Sequence, residues 1–182
     1  MNVLVSNLKE GDRSFAQESV MKQTRIRSSK SNDAEHQLRG FIAKFGPKHQ
    51  TLIRAVRRAL RKRFPTADEL VYDNYNFFVI GYSSTERASD SIVSVAAGAS
   101  GLGLCFIYGA GLPDPQRILL GSGKQTRFIR IDSARVFARP EVEKLIAAAI
   151  ARAKTPLRTT GRGKLIIKSI SAKQRPRRRP LK

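Results

Sequence analysis

Between about residue 32 and residue 153 the chain sorts its apolar and polar positions into regular periods. Leu38, Phe41, Ile42 and Phe45 recur at helical spacing behind Asn32 and Asp33, either of which can cap a helix. Gly46 stops that helix, and Pro47 suits the first position of the next. There Leu52, Ile53, Val56, Leu60 and Phe64 form one stripe, while Arg54, Arg57, Arg58, Arg61 and Lys62 lie off it. This predicts an amphipathic helix with a cationic outer face, ended by Pro65.

The period then shortens. Phe77 to Tyr82 is rich in aromatic and β-branched residues and predicts a strand, and Ile92 to Ala97 predicts a second. Leu102, Leu104, Phe106 and Tyr108 alternate with Gly103, Cys105 and Ile107 and give a third. The short Gly98-Ala-Ser-Gly101 turn between the second and third makes them an antiparallel hairpin. Thr126 to Ile131 is a fourth strand, and Arg139-Pro-Glu-Val-Glu opens a last helix that buries Val142, Leu145, Ile146, Ala149 and Ile150. Whether residues 164–170 add a further strand is left open by the pattern. The expected fold is α+β, an antiparallel sheet of about four to five strands with N- and C-terminal helices packed on one face.

Composition divides the chain into three parts: a leader at 1–31, a folded domain at 32–155, and a basic, mostly disordered tail at 156–182. Hydrophobic residues make up 41% of the sequence, enough for a core in the middle part. The net charge is +21, and its distribution matters more than its size. Lys48 to Arg63 holds seven basic residues and no acid, Arg152 to Lys182 holds twelve and no acid, and the remainder is close to neutral, with 16 basic against 14 acidic. Such stretches attract polyanions, nucleic acid first. The candidate polyanion-binding residues are Arg54, Arg57, Arg58, Arg61 and Lys62 on the helix, and Arg175, Arg177, Arg178 and Arg179 in the tail. Neither stretch carries the tyrosine or tryptophan interleaving of a single-strand binder, so the expected attraction is non-specific.

The remaining chemistry is sparse. Gly121-Ser-Gly-Lys124 lacks the first glycine of a phosphate loop, has Gln125 where Ser or Thr is needed, and leads into a strand rather than a helix. Gly109-Ala-Gly111 has Asp114 in place of the third glycine of a dinucleotide fingerprint. His36 and His49 stand on different helices without a neighbouring cysteine or carboxylate cluster, so no metal or other cofactor is expected and no catalytic residue is assigned. Tyr72, Asp73, Asn74 and Tyr75, with Tyr82 nearby, form the densest group of hydrogen-bonding aromatics and are the candidate edge of a small-molecule pocket. A lone cysteine suits a reducing compartment, and no apolar signal core or membrane span is visible, so a soluble cytoplasmic protein is expected.

The region from about His36 to Ala153 resembles the YdhG-like domain family, a largely uncharacterised group placed with frataxin-like proteins. The likeness lies in the order of features: a helix before Arg63-Phe-Pro65, then Asp68-Glu-Leu-Val-Tyr72, an aromatic strand and a hairpin. Gly121-Ser-Gly-Lys124 then precedes Thr126-Arg-Phe-Ile-Arg-Ile131 and the closing helix. Val71 to Ile80 is the most characteristic segment. The resemblance implies an α-β sandwich with the terminal helices on one face of the sheet. It also implies an alternative role in iron handling, because frataxin-like proteins bind iron through acidic surface residues. Here the helix presents arginines instead, leaving Asp68 and Glu69 as weak iron candidates. The leading expectation is a non-enzymatic binding module for polyanions. The alternatives are frataxin-like iron binding and a small-molecule or enzymatic site.

Overall fold

The computed structural model describes residues 32–178. The leader at 1–31 and the end of the tail, including Arg179, lie outside the described residues. Helix α1 (residues 32–43) buries Ala34, Leu38, Phe41 and Ile42. Phe45 follows it into the core, and Gly46, with extended backbone, precedes helix α2 (Pro47–Arg63). Pro47 occupies the first turn of α2, where a missing N–H leaves nothing unsatisfied. Helix α2 buries Ile53, Val56 and Leu60, three members of the stripe read from the sequence.

The strands are β1 (Asp68–Asp73), β2 (Phe78–Ser83), β3 (Ser91–Gly98), β4 (Gly101–Phe106), β5 (Arg127–Ile131) and β6 (Leu165–Ile170), with helix α3 (Pro140–Ala151) between the last two. They form one six-stranded sheet in the order β5-β4-β3-β2-β1-β6. Neighbours pair antiparallel except β1 and β6, which run parallel. The α+β expectation holds, but the sheet has six strands and is mixed rather than antiparallel. The added strands are β1 and β6. Three of the six residues of β1 are acidic, which hides its alternation from a reading based on apolar period.

Pleating sends alternate residues to opposite faces. On one face Phe78, Ile80 and Tyr82 stand in register with Ala97, Val95 and Val93, and Leu102 and Leu104 with Ile131 and Ile129. The helices cover this face: the Phe78 ring lies 6.2 Å from Phe41 and 6.0 Å from Phe45, and Phe64 lies 6.1 Å from Tyr82. Val142, Leu145 and Ile146 of α3 complete the same core. Burying each such side chain contributes about 1.5–3 kcal/mol.

The tail expectation is corrected. Residues 165–170 are β6, and the chain after it crosses the β1–β2 turn, where Arg177 is only 4% exposed. Proline and arginine give such a segment no core of its own, but β1 offers it an unpaired edge and buried acids. The approach is close. Gly163 donates to the Pro65 carbonyl at 2.9 Å, and a Cβ placed on it would stand 1.7 Å from the Ala67 carbonyl oxygen. Only glycine lets the backbone pass there. The Glu69 N–H then bonds the Lys164 carbonyl at 2.7 Å and starts the parallel ladder.

Candidate functional site

Strand β1 takes four of the arginines into the fold, Arg57, Arg61, Arg158 and Arg177. Its three acids, Asp68, Glu69 and Asp73, are all buried, and each holds a cation. Asp68 accepts from Arg158 at 2.8 Å and from the Lys164 N–H at 2.9 Å. Asp73 pairs with Lys44 at 2.5 Å and with Arg177 at 3.1 Å. Arg177 also donates to the carbonyls of Asn74 and Asn76, and its guanidinium lies 6.0 Å from the centre of the Phe45 ring. Arg178 donates to the carbonyls of Ala43 and Lys44 at the end of α1. Arg175 stacks 5.6 Å from the centre of Tyr75. Of the tail residues expected to meet a polyanion, Arg177 is therefore committed inside the fold, and Arg178 is tied to the end of α1.

Glu69 faces the helices, and its carboxylate takes two bonds from Arg57 at 2.9 and 2.7 Å, one from Arg61 at 2.6 Å and one from the Tyr82 hydroxyl at 3.2 Å. Burial, together with the charge of Glu69, pushes the Tyr82 hydroxyl well above its ordinary pKa. A second carboxylate reaches Arg57 from α1: Glu35 accepts two bonds at 3.0 and 2.6 Å. Burial works against the charge on Arg57, but its bonds to Glu69 and Glu35 outweigh it and hold the guanidinium protonated. The bond from Arg57 holds Glu35 below the usual carboxylate range against a smaller opposing effect of burial, with Arg57, Arg61 and Arg39 adding to it by charge.

This ion network forms the inner wall of an open cleft of about 430 Å³ between α1 and α2. Leu38 and Ile42 supply its apolar part. Arg54, Arg57, Arg58 and Arg61 enter from α2, at successive positions of one helix face. Arg39 enters from α1, and Arg162 from the loop before β6. Among the described residues, Arg39, Arg54, Arg58 and Arg162 pair with no carboxylate. Four uncompensated guanidiniums beside a partly neutralised pair repel one another, and an anion in the cleft relieves that repulsion. Guanidinium forks match phosphate oxygens two at a time. Chemically, the cleft can hold phosphate groups.

The structure divides the sequence candidates sharply. Arg54, Arg57, Arg58 and Arg61 come together in the cleft, and Lys62 is exposed outside it. Arg39, Arg162 and Glu35 were missed, because only the tertiary fold brings them beside α2. The candidate pocket at Tyr72, Asp73, Asn74, Tyr75 and Tyr82 is corrected: these residues do not converge. Register puts Asp73 and Tyr82 toward the helices and Tyr72 on the opposite face. Asn74 and Tyr75 sit in the turn, where the Asn74 side chain accepts from Ser169 and the Tyr75 carbonyl from the Arg175 N–H. Of the iron candidates, Glu69 has both carboxylate oxygens bonded by arginines, and Asp68 has one oxygen bonded by Arg158 and the Lys164 N–H. Among the described residues no three His, Cys, Asp or Glu side chains are grouped to hold a metal ion. No helix among them is long and apolar enough to cross a membrane.

Comparison with known protein families, with characterised proteins and with solved structures returns no match for this chain.

Proposed function

We propose that this protein is a non-enzymatic binding module whose α1–α2 cleft holds the phosphate groups of nucleic acid, by charge and guanidinium hydrogen bonds and without reading bases. One observation carries the reading: Arg39, Arg54, Arg58 and Arg162 meet in one cleft with no carboxylate partner among the described residues. A solvated helix face explains arginines on α2 alone. It does not explain their convergence with residues from α1 and from the loop before β6. The resemblance to YdhG-like domains belongs to this proposal, supported by the order of elements around Val71 to Ile80. The frataxin-like iron alternative draws no support from Asp68 and Glu69, whose charges are spent on Arg158, Arg57 and Arg61.

The test is fluorescence anisotropy with a labelled DNA duplex and an RNA strand, titrated with salt. Charge-driven binding has a dissociation constant of about 10⁻⁶ to 10⁻⁴ M near physiological salt, with log affinity falling linearly in log salt. Removing the chain beyond Thr155 is a poor control, since it deletes β6 along with the charge. Single substitutions of Arg54, Arg58 and Arg162 are the clean ones. Absence of binding even at low salt would end the proposal.

A further inference from the structure

We infer that Glu35 occupies the cleft's best phosphate seat, so that the site selects a phosphate monoester, which can displace it, over the diesters of a nucleic-acid backbone. The inference rests on the phosphate-binding reading above. Arg57 presents two edges. The edge formed by Nε and Nη2 is held by Glu69, and the edge formed by Nη1 and Nη2 is held by Glu35.

The two carboxylates differ in how firmly they are placed. Glu69 stands on an interior strand, its side chain 3% exposed, and is also bonded by Arg61 and Tyr82. Glu35 stands on α1 beside the open cleft, its side chain 35% exposed, and bonds Arg57 alone, with Arg61 at 3.6 Å. Its two-bond geometry on Arg57 is the one a phosphate adopts on a guanidinium. When Glu35 swings out, the freed edge of Arg57 joins Arg39, Arg54, Arg58 and Arg162, which pair with no carboxylate among the described residues, around one space.

Charge decides which ligand makes that exchange worthwhile. A phosphodiester carries one negative charge, as the departing carboxylate does, so replacing Glu35 with a backbone phosphate gains little. A phosphate monoester carries about −1.5 to −2 near neutral pH and brings a third terminal oxygen. Glu35 thus acts as a specificity-determining residue, placed so that weak competitors are excluded. The monoester is either the phosphorylated end of a strand or a free nucleoside monophosphate.

The experiment compares matched oligonucleotides with a 5′-phosphate and a 5′-hydroxyl, binding to the full chain and to Glu35→Gln and Glu35→Ala, at fixed ionic strength. The wild-type chain is expected to prefer the 5′-phosphate strand. Either variant should bind the 5′-hydroxyl strand about three- to tenfold more tightly, the range of a part-exposed charged contact, and so narrow the preference. Competition by adenosine monophosphate supports the inference with a free nucleotide as the source. A retained strand preference without such competition supports it with the strand end. If the wild-type chain binds both strands equally and neither variant alters that, the inference is overturned while the proposed function stands. If no strand binds at low salt, the proposed function fails first. Thermal melting of both variants confirms that a changed ratio reports the site rather than the fold.

Discussion

Arg177 and Arg58 come from the two acid-free basic stretches of the chain, and nothing local in the sequence separates them. In the fold Arg177 is buried against Asp73 and three aromatic or carbonyl neighbours, whereas Arg58 is exposed in the cleft with no carboxylate partner among the described residues. The difference comes from the partner strand. β1 places Asp68, Glu69 and Asp73 where water is excluded, and a buried carboxylate must be matched by a cation. Cations paired only with β1 become structural, those beyond its reach stay available to a ligand, and Arg57, bonded to both Glu69 and Glu35, belongs to both groups. Net charge therefore overstates what this surface offers to a polyanion.

The contrast breaks most visibly in stability. Arg177→Ala leaves Asp73 with Lys44 alone and is expected to cost about 3–5 kcal/mol in urea unfolding. Arg58→Ala and Arg54→Ala should stay within about 0.5 kcal/mol of the parent. Equal losses would mean that the two stretches are not different after all. Gly163→Ala attacks the same region through the backbone and is expected to cost about 1–3 kcal/mol or more, as its methyl meets Ala67. Its amide-exchange signature should be loss of protection in β6 before the rest of the sheet.

Binding should show the reverse ranking. Arg54→Ala, Arg58→Ala and Arg162→Ala are each expected to lower the slope of log affinity against log salt by about one, evenly across nucleic-acid sequences. The smallest effect is in the acid limb of stability. Glu35 has a folded pKa below its ordinary 4.5, so its contribution is present above that value and disappears as pH falls through the folded pKa. Glu35→Gln should lose that contribution, melting slightly below the parent at neutral pH and converging with it as pH falls below about 4.5, as followed by circular dichroism.

Much of the helical layer and the central hairpin was legible in the sequence. The stripe Ile53, Val56, Leu60 and Phe64 reads at helical period, and the Gly98–Gly101 turn joins β3 to β4 as expected. Strand β1 was not legible, since Asp68, Glu69 and Asp73 are poor strand formers whose burial depends on cations that come mostly from elsewhere in the chain. β6 was undecidable, because Leu165, Ile166 and Ile167 carry no alternation and their pairing with β1 is a long-range event. Half of the site could be seen: Arg54, Arg57, Arg58 and Arg61 lie on one helix face. The other half, Arg39, Arg162 and Glu35, becomes a site only when α1 and the loop before β6 are brought against α2.

The parallel pairing of β6 with β1 also bears on synthesis. Arg177 and Asp73 are 104 residues apart in the chain, and Arg158 and Asp68 are 90 apart. A ribosome releases α1, α2 and the first hairpins, with Lys44, Arg57 and Arg61, well before it releases Arg158 and Arg177. Until then β1 is an open edge on which Asp68 lacks its arginine and Asp73 has only Lys44, and contacts of such long range form slowly. Completion of the sheet therefore waits for late-emerging residues, and a chaperone that shields the edge of β1 would have its clearest use in that interval.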